Sequence, residues 1–294
     1  MVSTSVTART RRDRCPGVFR PWPASDGALV RLRLVGGQLP LTSLLALTRV
    51  AESYGAGDVH LTARANLQVR GLPLVDRSLP AEVADALVAT GLVPHPSHDL
   101  VRNILVSPQS GLAGGMCDLR PVATRLDEAI CASAALTELP GRFLFVLDDG
   151  RGDLVDHPVD LGVHALDAST AQLRFGSTGW GETVLLDQAP ETLVALASSF
   201  LSRRRDEAGD SRAAWHVEEL DVDLSLRRPR DPRTRSSTGP LPYGPVPGGV
   251  HVPAPAGVIS PALVARIVQM AEDRSAETVV VTPRRGVLIP EATP

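Results

Sequence analysis

The sequence predicts an α+β protein built on an internal duplication, and three observations carry that prediction. From His60 to Arg70, polar His60, Thr62, Arg64, Asn66, Gln68 and Arg70 alternate with apolar Leu61, Ala63, Ala65, Leu67 and Val69, the period of a half-buried β-strand. A strand–helix–strand pattern near the N-terminus recurs near the C-terminus. Gly37 pairs with Gly257, Ala51-Glu52 with Ala271-Glu272, Val59 with Val279, Thr62 with Thr282 and Arg64 with Arg284, always 220 positions apart. Between the copies, residues 95–225 alternate helical and strand patterns, which predicts a separate α/β module.

Taken in order, residues 1–26 are polar and Pro-rich and read as an extended arm. The apolar–basic alternation of 28–35 predicts a strand, 41–53 a helix and 59–70 a second strand, together a first unit over 27–90. In the central module, 95–226, Arg120 to Leu136 reads as a helix, and Arg142 to Leu147 and Gln172 to Phe175 as strands. Asp148-Asp149-Gly150 with Arg151-Gly152-Asp153 reads as a hairpin turn rather than a metal site. Gly111 to Gly115 is a flexible loop without the spacing of a phosphate-binding fingerprint. The Arg-rich run 227–235 and the Pro- and Gly-rich residues after it read as a solvated linker, 227–248, to the second unit at 249–294.

A hydrophobic content of 43%, with 21% charged residues, is that of a globular protein with room for more than one core. The thirty basic residues are all arginine, which fits a coding bias as well as it fits function. A net charge of -3 and 3% aromatic residues give neither the field nor the stacking platform that nucleic acid would need. No apolar run reaches a membrane span, and the N-terminus lacks the apolar segment of a secretory signal, so the expectation is a cytoplasmic protein with no membrane partner. Cys15, Cys117 and Cys131 are widely spaced and form no CxxC, which suggests neither a disulfide framework nor a self-contained metal or cluster site; Cys117 and Cys131 read as buried small hydrophobes. His60, His157, His164, His216 and His251 form no HxH or HxxxH pair and read as surface or packing residues; His157, between Asp156 and Asp160, is the nearest approach to an iron ligand set.

The polar row of 60–70 holds two guanidiniums, two amides, a hydroxyl and an imidazole, and no carboxylate. Those groups suit an oxyanion or a carboxylated ligand.

Four segments, in this order, resemble the nitrite and sulfite reductase superfamily and, within it, the precorrin-3B synthase family of cobalamin biosynthesis. They are Arg14-Cys15-Pro16-Gly17 with Asp26-Gly27, the strand from Leu61 to Gly71, Arg102-Asn103-Ile104 to Pro108, and Leu139-Pro140-Gly141-Arg142 to Gly150. The resemblance implies two ferredoxin-like half-domains related by a pseudo-twofold axis beside a central α/β module of the nitrite/sulfite reductase type. It also implies a site for a carboxylated tetrapyrrole formed by Arg64, Asn66, Gln68, Arg102, Asn103 and Arg142, with no catalytic residue assigned. The implied activity is that of an oxidoreductase, an oxygen-dependent monooxygenase that hydroxylates precorrin-3A at C20 and closes a lactone. The alternatives are a sirohaem-type nitrite or sulfite reductase homologue and a non-catalytic tetrapyrrole-binding or partner protein. Leu144 stands where sulfite reductases carry a second lysine, which weighs against the reductase. The family's expected cofactors are a 4Fe–4S cluster and iron or sirohaem, and the electron donor is not named by the sequence. The cysteine segment that ligates the cluster is missing from this chain as read to Pro294. Three expectations follow from that: a truncated enzyme, a cluster-free homologue, or ligands from another chain.

Overall fold

The computed structural model describes residues 13, 15–206, 214–220 and 224–291; residues 1–12 and Arg14 of the first motif lie outside them. The first copy runs β1 (Trp22–Ala24), β2 (Gly27–Leu32), β3 (Gln38–Pro40), α1 (Leu41–Tyr54), β4 (Val59–Leu61), β5 (Leu67–Leu72) and α2 (Ala81–Leu87). The central module follows with β6 (Ile104–Val106), α3 (Arg120–Ala132), β7 (Phe145–Asp148), β8 (Leu161–Ala165), β9 (Thr170–Phe175), β10 (Gly179–Leu185) and α4 (Ala189–Asp206). The second copy contains β11 (Gly244–Val246), β12 (Gly249–Pro253), β13 (Val258–Ile259), α5 (Pro261–Glu272), β14 (Thr278–Val281) and β15 (Gly286–Pro290). Strand β1 thus lies within the segment read as an arm, and β11 within the segment read as a linker.

The duplication is visible in the core. Helix α1 buries Leu44, Leu47 and Ala51, and α5 buries Val264, Ile267 and Ala271, the same positions displaced by 220. That spacing puts three apolar side chains on one helical face. The two sheets have orders β1-β2-β5-β4-β13 and β11-β12-β15-β14-β3, so each copy lends the other its edge strand. Gly37 and Gly257, the residues flanking those exchanged strands, both hold left-handed conformations with φ of 74° and 77°. The Gly37 carbonyl also accepts Val281 N at 2.8 Å, and a Cβ on Gly37 would stand 2.2 Å from the Val281 carbonyl oxygen.

The central sheet, order β10-β9-β8-β7-β6, is parallel from β6 to β8 and antiparallel beyond. Along it Leu105, Leu144 and Val146 join the core shared with both copies, while Ile104, Val106, Phe145 and Leu147 join a second core under α3 and α4. The parallel strands β6, β7 and β8 are therefore buried along their whole length, whereas the edge strand β10 is partly exposed.

Several sequence expectations change. The run 59–70 is a hairpin, not one strand: β4 pairs antiparallel with β5, His60 opposite Gln68. Thr62 closes the turn by donating its backbone N to Asn66 O at 2.9 Å and accepting Asn66 N on its hydroxyl at 3.1 Å, and Ala65 takes a left-handed φ of 54°. Alternation survives because cross-strand partners share a face. The segment 148–153 is not a hairpin turn, because β7 and β8 are parallel and it belongs to the crossover between them. Within it the Asp148 carboxylate accepts the amides of Gly150, Gly152 and Leu154. The basic segment is exposed along most of its length but does not run free of the central sheet. Gln172 Nε2 donates to Pro229 O at 2.9 Å, and Arg230 lies over the Trp180 ring and Arg227 over the Phe175 ring, so this solvated segment runs along β9 and β10. The strand placed from Arg142 begins at Phe145, and the helix from Arg120 ends at Ala132 before a short 3-10 turn. Cys117 and Cys131 are half-buried rather than core residues, whereas Cys15 is buried.

Candidate functional site

Strand β2 turns Val30 and Leu32 into the core and Arg31 to the opposite face. Register then builds a row across the sheet, since Arg31 and His60 both lie opposite Gln68. With its amide oxygen turned toward Arg31, Gln68 accepts from Nε at 3.2 Å and Nη2 at 2.8 Å. The β4–β5 turn places Arg64 beside this row, where its Nη1 donates to Arg142 O at 2.7 Å. Arg142 follows Gly141, which packs so closely on the N-terminal segment that a Cβ would lie 2.7 Å from Cys15 Cβ. Arg285 arrives from the β14–β15 turn of the other copy.

These groups line a cleft of about 630 Å³, walled also by Thr62, Leu61, Cys15, Pro16 and Trp215. Four guanidiniums thus converge from β2, two hairpin turns and the approach to β7. Asp13 is the one carboxylate among the described lining residues, and it is engaged by the amides of Cys15 and Gly141 and lies 3.6 Å from Arg20. Burial lowers the pKa of Arg31 and of Arg64, the penalty for crowding guanidiniums away from water without carboxylate partners. A ligand with several carboxylates is the complement of such a surface.

The other residues singled out from the sequence lie elsewhere. Asn66 and Asn103 form a buried network beneath the cleft. Asn66 Oδ1 accepts Leu34 N at 2.9 Å, and its Nδ2 reaches Asn103 Oδ1 at 3.4 Å. Asn103 Nδ2 donates to Gly141 O at 3.1 Å. They hold the segment that presents Arg142 rather than facing the cleft. Arg102 is buried and bound through Nε and Nη2 to both oxygens of Asp127, each at 2.7 Å, on the α3 side of the central sheet. Arg70 reaches outward to Asp26 at 3.1 Å.

Sequence reasoning missed Arg31, Arg285 and Arg33. Arg33 donates Nε to Asn103 Oδ1 and Nη1 to Asp99 O, and burial brings its pKa down to about 10. The alternation that marked 28–35 as a strand contained the signal for Arg31, but nothing local marked Arg285.

The described residues do not fit a four-thiolate cluster. Cys15 lines the cleft, Cys117 precedes α3 and Cys131 lies within it, and the single grouping of three potential metal ligands found among the described residues is Asp148, Asp149 and Asp153. Asp149 there is bound by Arg151 at 2.6 Å. His157 does not pair with Asp160, whose Oδ1 instead lies 2.9 Å from His216 Nδ1. Among the described residues no helix is long and apolar enough to cross a membrane.

Comparison with known proteins agrees with this architecture. Residues 23–78 match the nitrite/sulfite reductase ferredoxin-like half domain. A precorrin-3B synthase from Sinorhizobium is 34% identical over 149 residues, 49% of this chain and 30% of that protein. A ferredoxin–nitrite reductase of Synechococcus elongatus is 34% identical over 156 residues, 50% of this chain and 30% of its own length. The chloroplastic ferredoxin–nitrite reductase of Zea mays is 29% identical over 224 residues, 67% of this chain and 38% of that protein. The match therefore spans well under half the length of these relatives. The structure of the NirA protein of Mycobacterium tuberculosis superposes with a TM-score of 0.69 at 15% identity, covering 90% of this chain and 54% of that one, which shows a shared fold. The chain thus carries a nitrite/sulfite reductase ferredoxin-like half domain, is similar to a precorrin-3B synthase and to ferredoxin–nitrite reductases over about half of its length or more, and shares the fold of NirA.

Proposed function

We propose that the chain binds a carboxylated tetrapyrrole of the precorrin type in its arginine cleft, as part of a precorrin-3B synthase-like oxidoreductase of cobalamin biosynthesis. The observation that carries this reading is the convergence of Arg31, Arg64, Arg142 and Arg285 in one cleft where Asp13, the one carboxylate among the described lining residues, is already engaged. A precorrin is a macrocycle edged with acetate and propionate groups, and planar guanidiniums grip carboxylates in pairs of hydrogen bonds. Arg64 and Gln68 would orient the ring edge, while Asn66 and Asn103 keep Arg142 in register. Iron would supply the one-electron chemistry with dioxygen that side chains do not perform, and Cys15, Cys117 and Cys131 do not make a four-thiolate site for the family's cluster.

A second reading, a sirohaem-type reductase fed by ferredoxin, draws on the two nitrite reductases just described, and the same cleft would grip sirohaem carboxylates. Titration with uroporphyrin, an octacarboxylate tetrapyrrole, tests the shared element. Arg31→Ala and Arg142→Ala should each weaken binding by about 1 to 2 kcal/mol, roughly fivefold to thirtyfold, with folding unchanged. Unchanged affinity in both variants would remove the cleft from the site. Turnover of precorrin-3A against nitrite by the iron-loaded protein then separates the two readings.

A further inference from the structure

We propose that the Asp160–His216 pair is the ionisable element of the arginine cleft, a positioning pair that sets the charge a carboxylated ligand meets there. The proposal rests on reading the cleft as a polycarboxylate site. Asp160 is fully buried just before β8, and its carboxylate ties three segments together. Oδ2 accepts Leu144 N at 2.9 Å, two residues beyond Arg142 of the cleft. Oδ1 accepts Val217 N at 3.1 Å and stands 2.9 Å from His216 Nδ1. The neighbouring Trp215 is itself part of the cleft wall.

A buried carboxylate facing two amides remains an expensive charge unless a cation joins it. His216, partly exposed, is that cation. The Asp160 carboxylate raises the imidazole pKa, with burial and the nearby Arg64 opposing and Glu219 assisting. The remaining charges around the pair are otherwise engaged: Glu219 accepts Trp215 N at 2.8 Å and Glu218 accepts Ser177 N at 2.6 Å. His157 is a second imidazole that feels Arg64; it packs against Ala63, and burial lowers its pKa.

The pair acts by charge balance. With His216 protonated, Asp160 and His216 cancel, and the guanidiniums keep their full attraction for an anion. Once His216 loses its proton, Asp160 stands as an uncompensated anion near Arg64 and subtracts from that attraction. His216 has a raised pKa, so anion affinity is greatest below it and falls as pH rises through it. By linkage, a bound polyanion must raise the His216 pKa in turn.

Uroporphyrin titrations of the full chain from about pH 6 to 9, at fixed ionic strength, test this in a range where the ligand's carboxylates stay ionised. Wild-type affinity should fall about threefold to tenfold across that range, the size expected of one charge at the edge of a site. His216→Gln should bind weakly with no pH slope, and Asp160→Asn should bind tightly with no slope. His157→Gln should keep the wild-type slope. A slope that persists in His216→Gln, or that His157→Gln removes, overturns the proposal. Should Asp160→Asn fail to fold, the His216 ring resonance of the wild-type protein decides: a titration midpoint that rises with uroporphyrin supports the pair, and an unmoved midpoint refutes it. Failure of the wild-type protein to bind uroporphyrin near pH 6 would instead overturn the reading of the cleft itself.

Discussion

The hairpin turns of the two copies share a backbone, a threonine and an arginine, and differ in the clefts they face. Thr62 N meets Asn66 O at 2.9 Å and Thr282 N meets Gly286 O at 2.9 Å; Ala65 N meets Thr62 O at 3.1 Å and Arg285 N meets Thr282 O at 3.0 Å. The left-handed residue follows suit, with φ of 54° at Ala65 and 60° at Arg285. Each turn helps to line a cleft against the central module. The first cleft, of about 630 Å³, gathers guanidiniums. The second, of about 360 Å³, sets Thr282, Pro283 and Arg284 against Leu154, Pro158, Pro240, Leu241, Asp153, Asp156 and His157. Arg64 there has its counterpart in Arg284, which lies over the Tyr243 ring while Tyr243 Oη donates to Arg284 O at 2.7 Å. Backbone geometry was preserved by the hydrogen bonds it needs, whereas the charge of each cleft depends on what the central module offers opposite the turn.

The largest test of this comparison lies in the paired glycines. An alanine at Gly37 must adopt φ of 74° and meet the Val281 carbonyl oxygen, which is fixed backbone, at 2.2 Å. At Gly257 the nearest atom is the movable Arg285 Cδ at 2.8 Å. Gly37→Ala should therefore destabilise by about 3 kcal/mol or more, and Gly257→Ala by about 1 to 2 kcal/mol, in chemical denaturation. Equal costs would mean that the exchanged strands are not held as described. Next comes the turn hydroxyl. Thr282 is buried and its Oγ1 also lies 2.9 Å from His251 Nε2, while Thr62 is half-exposed. Thr282→Val should cost about 2 kcal/mol and Thr62→Val about 1 kcal/mol, read as denaturation midpoints.

A smaller effect sharpens the functional difference. Arg64→Ala should weaken uroporphyrin binding roughly tenfold, and Arg284→Ala should leave it unchanged, because the latter faces the other cleft. Loss in both variants would make the two clefts one site. The smallest effect concerns acidity. In the second cleft burial, with Asp148 adding to it, pushes Asp153 up to about 7. The folded state thus holds this proton more tightly than the unfolded chain does, so the contribution to stability is full below the ordinary carboxylate pKa and is lost as pH rises through about 7. Denaturation at about pH 5 and pH 8 should show a drop in the wild-type protein that Asp153→Asn reduces. A drop of equal size in the variant would assign it to other groups.

What the sequence determined by itself was periodic or repeated. The spacing of Leu44, Leu47 and Ala51, echoed by Val264, Ile267 and Ala271, follows from local helix geometry, and the 220-residue offset follows from duplication. The donor-rich row of 60–70 was legible for the same reason, and Arg64, Gln68 and Arg142 do meet in the cleft. The hairpin inside that row was not, because cross-strand neighbours preserve alternation through a turn. Only the tertiary structure decided which charges converge. Arg102 reads like a site residue yet meets Asp127, on a helix turn 25 residues away, whereas Arg285 crosses from the other copy to complete the cleft. Side-chain period is a property of a few consecutive residues, but the environment of a charge is set by the pairing of strands and sheets far apart in the chain, and that pairing gives Arg102 a carboxylate partner and brings Arg285 to the cleft.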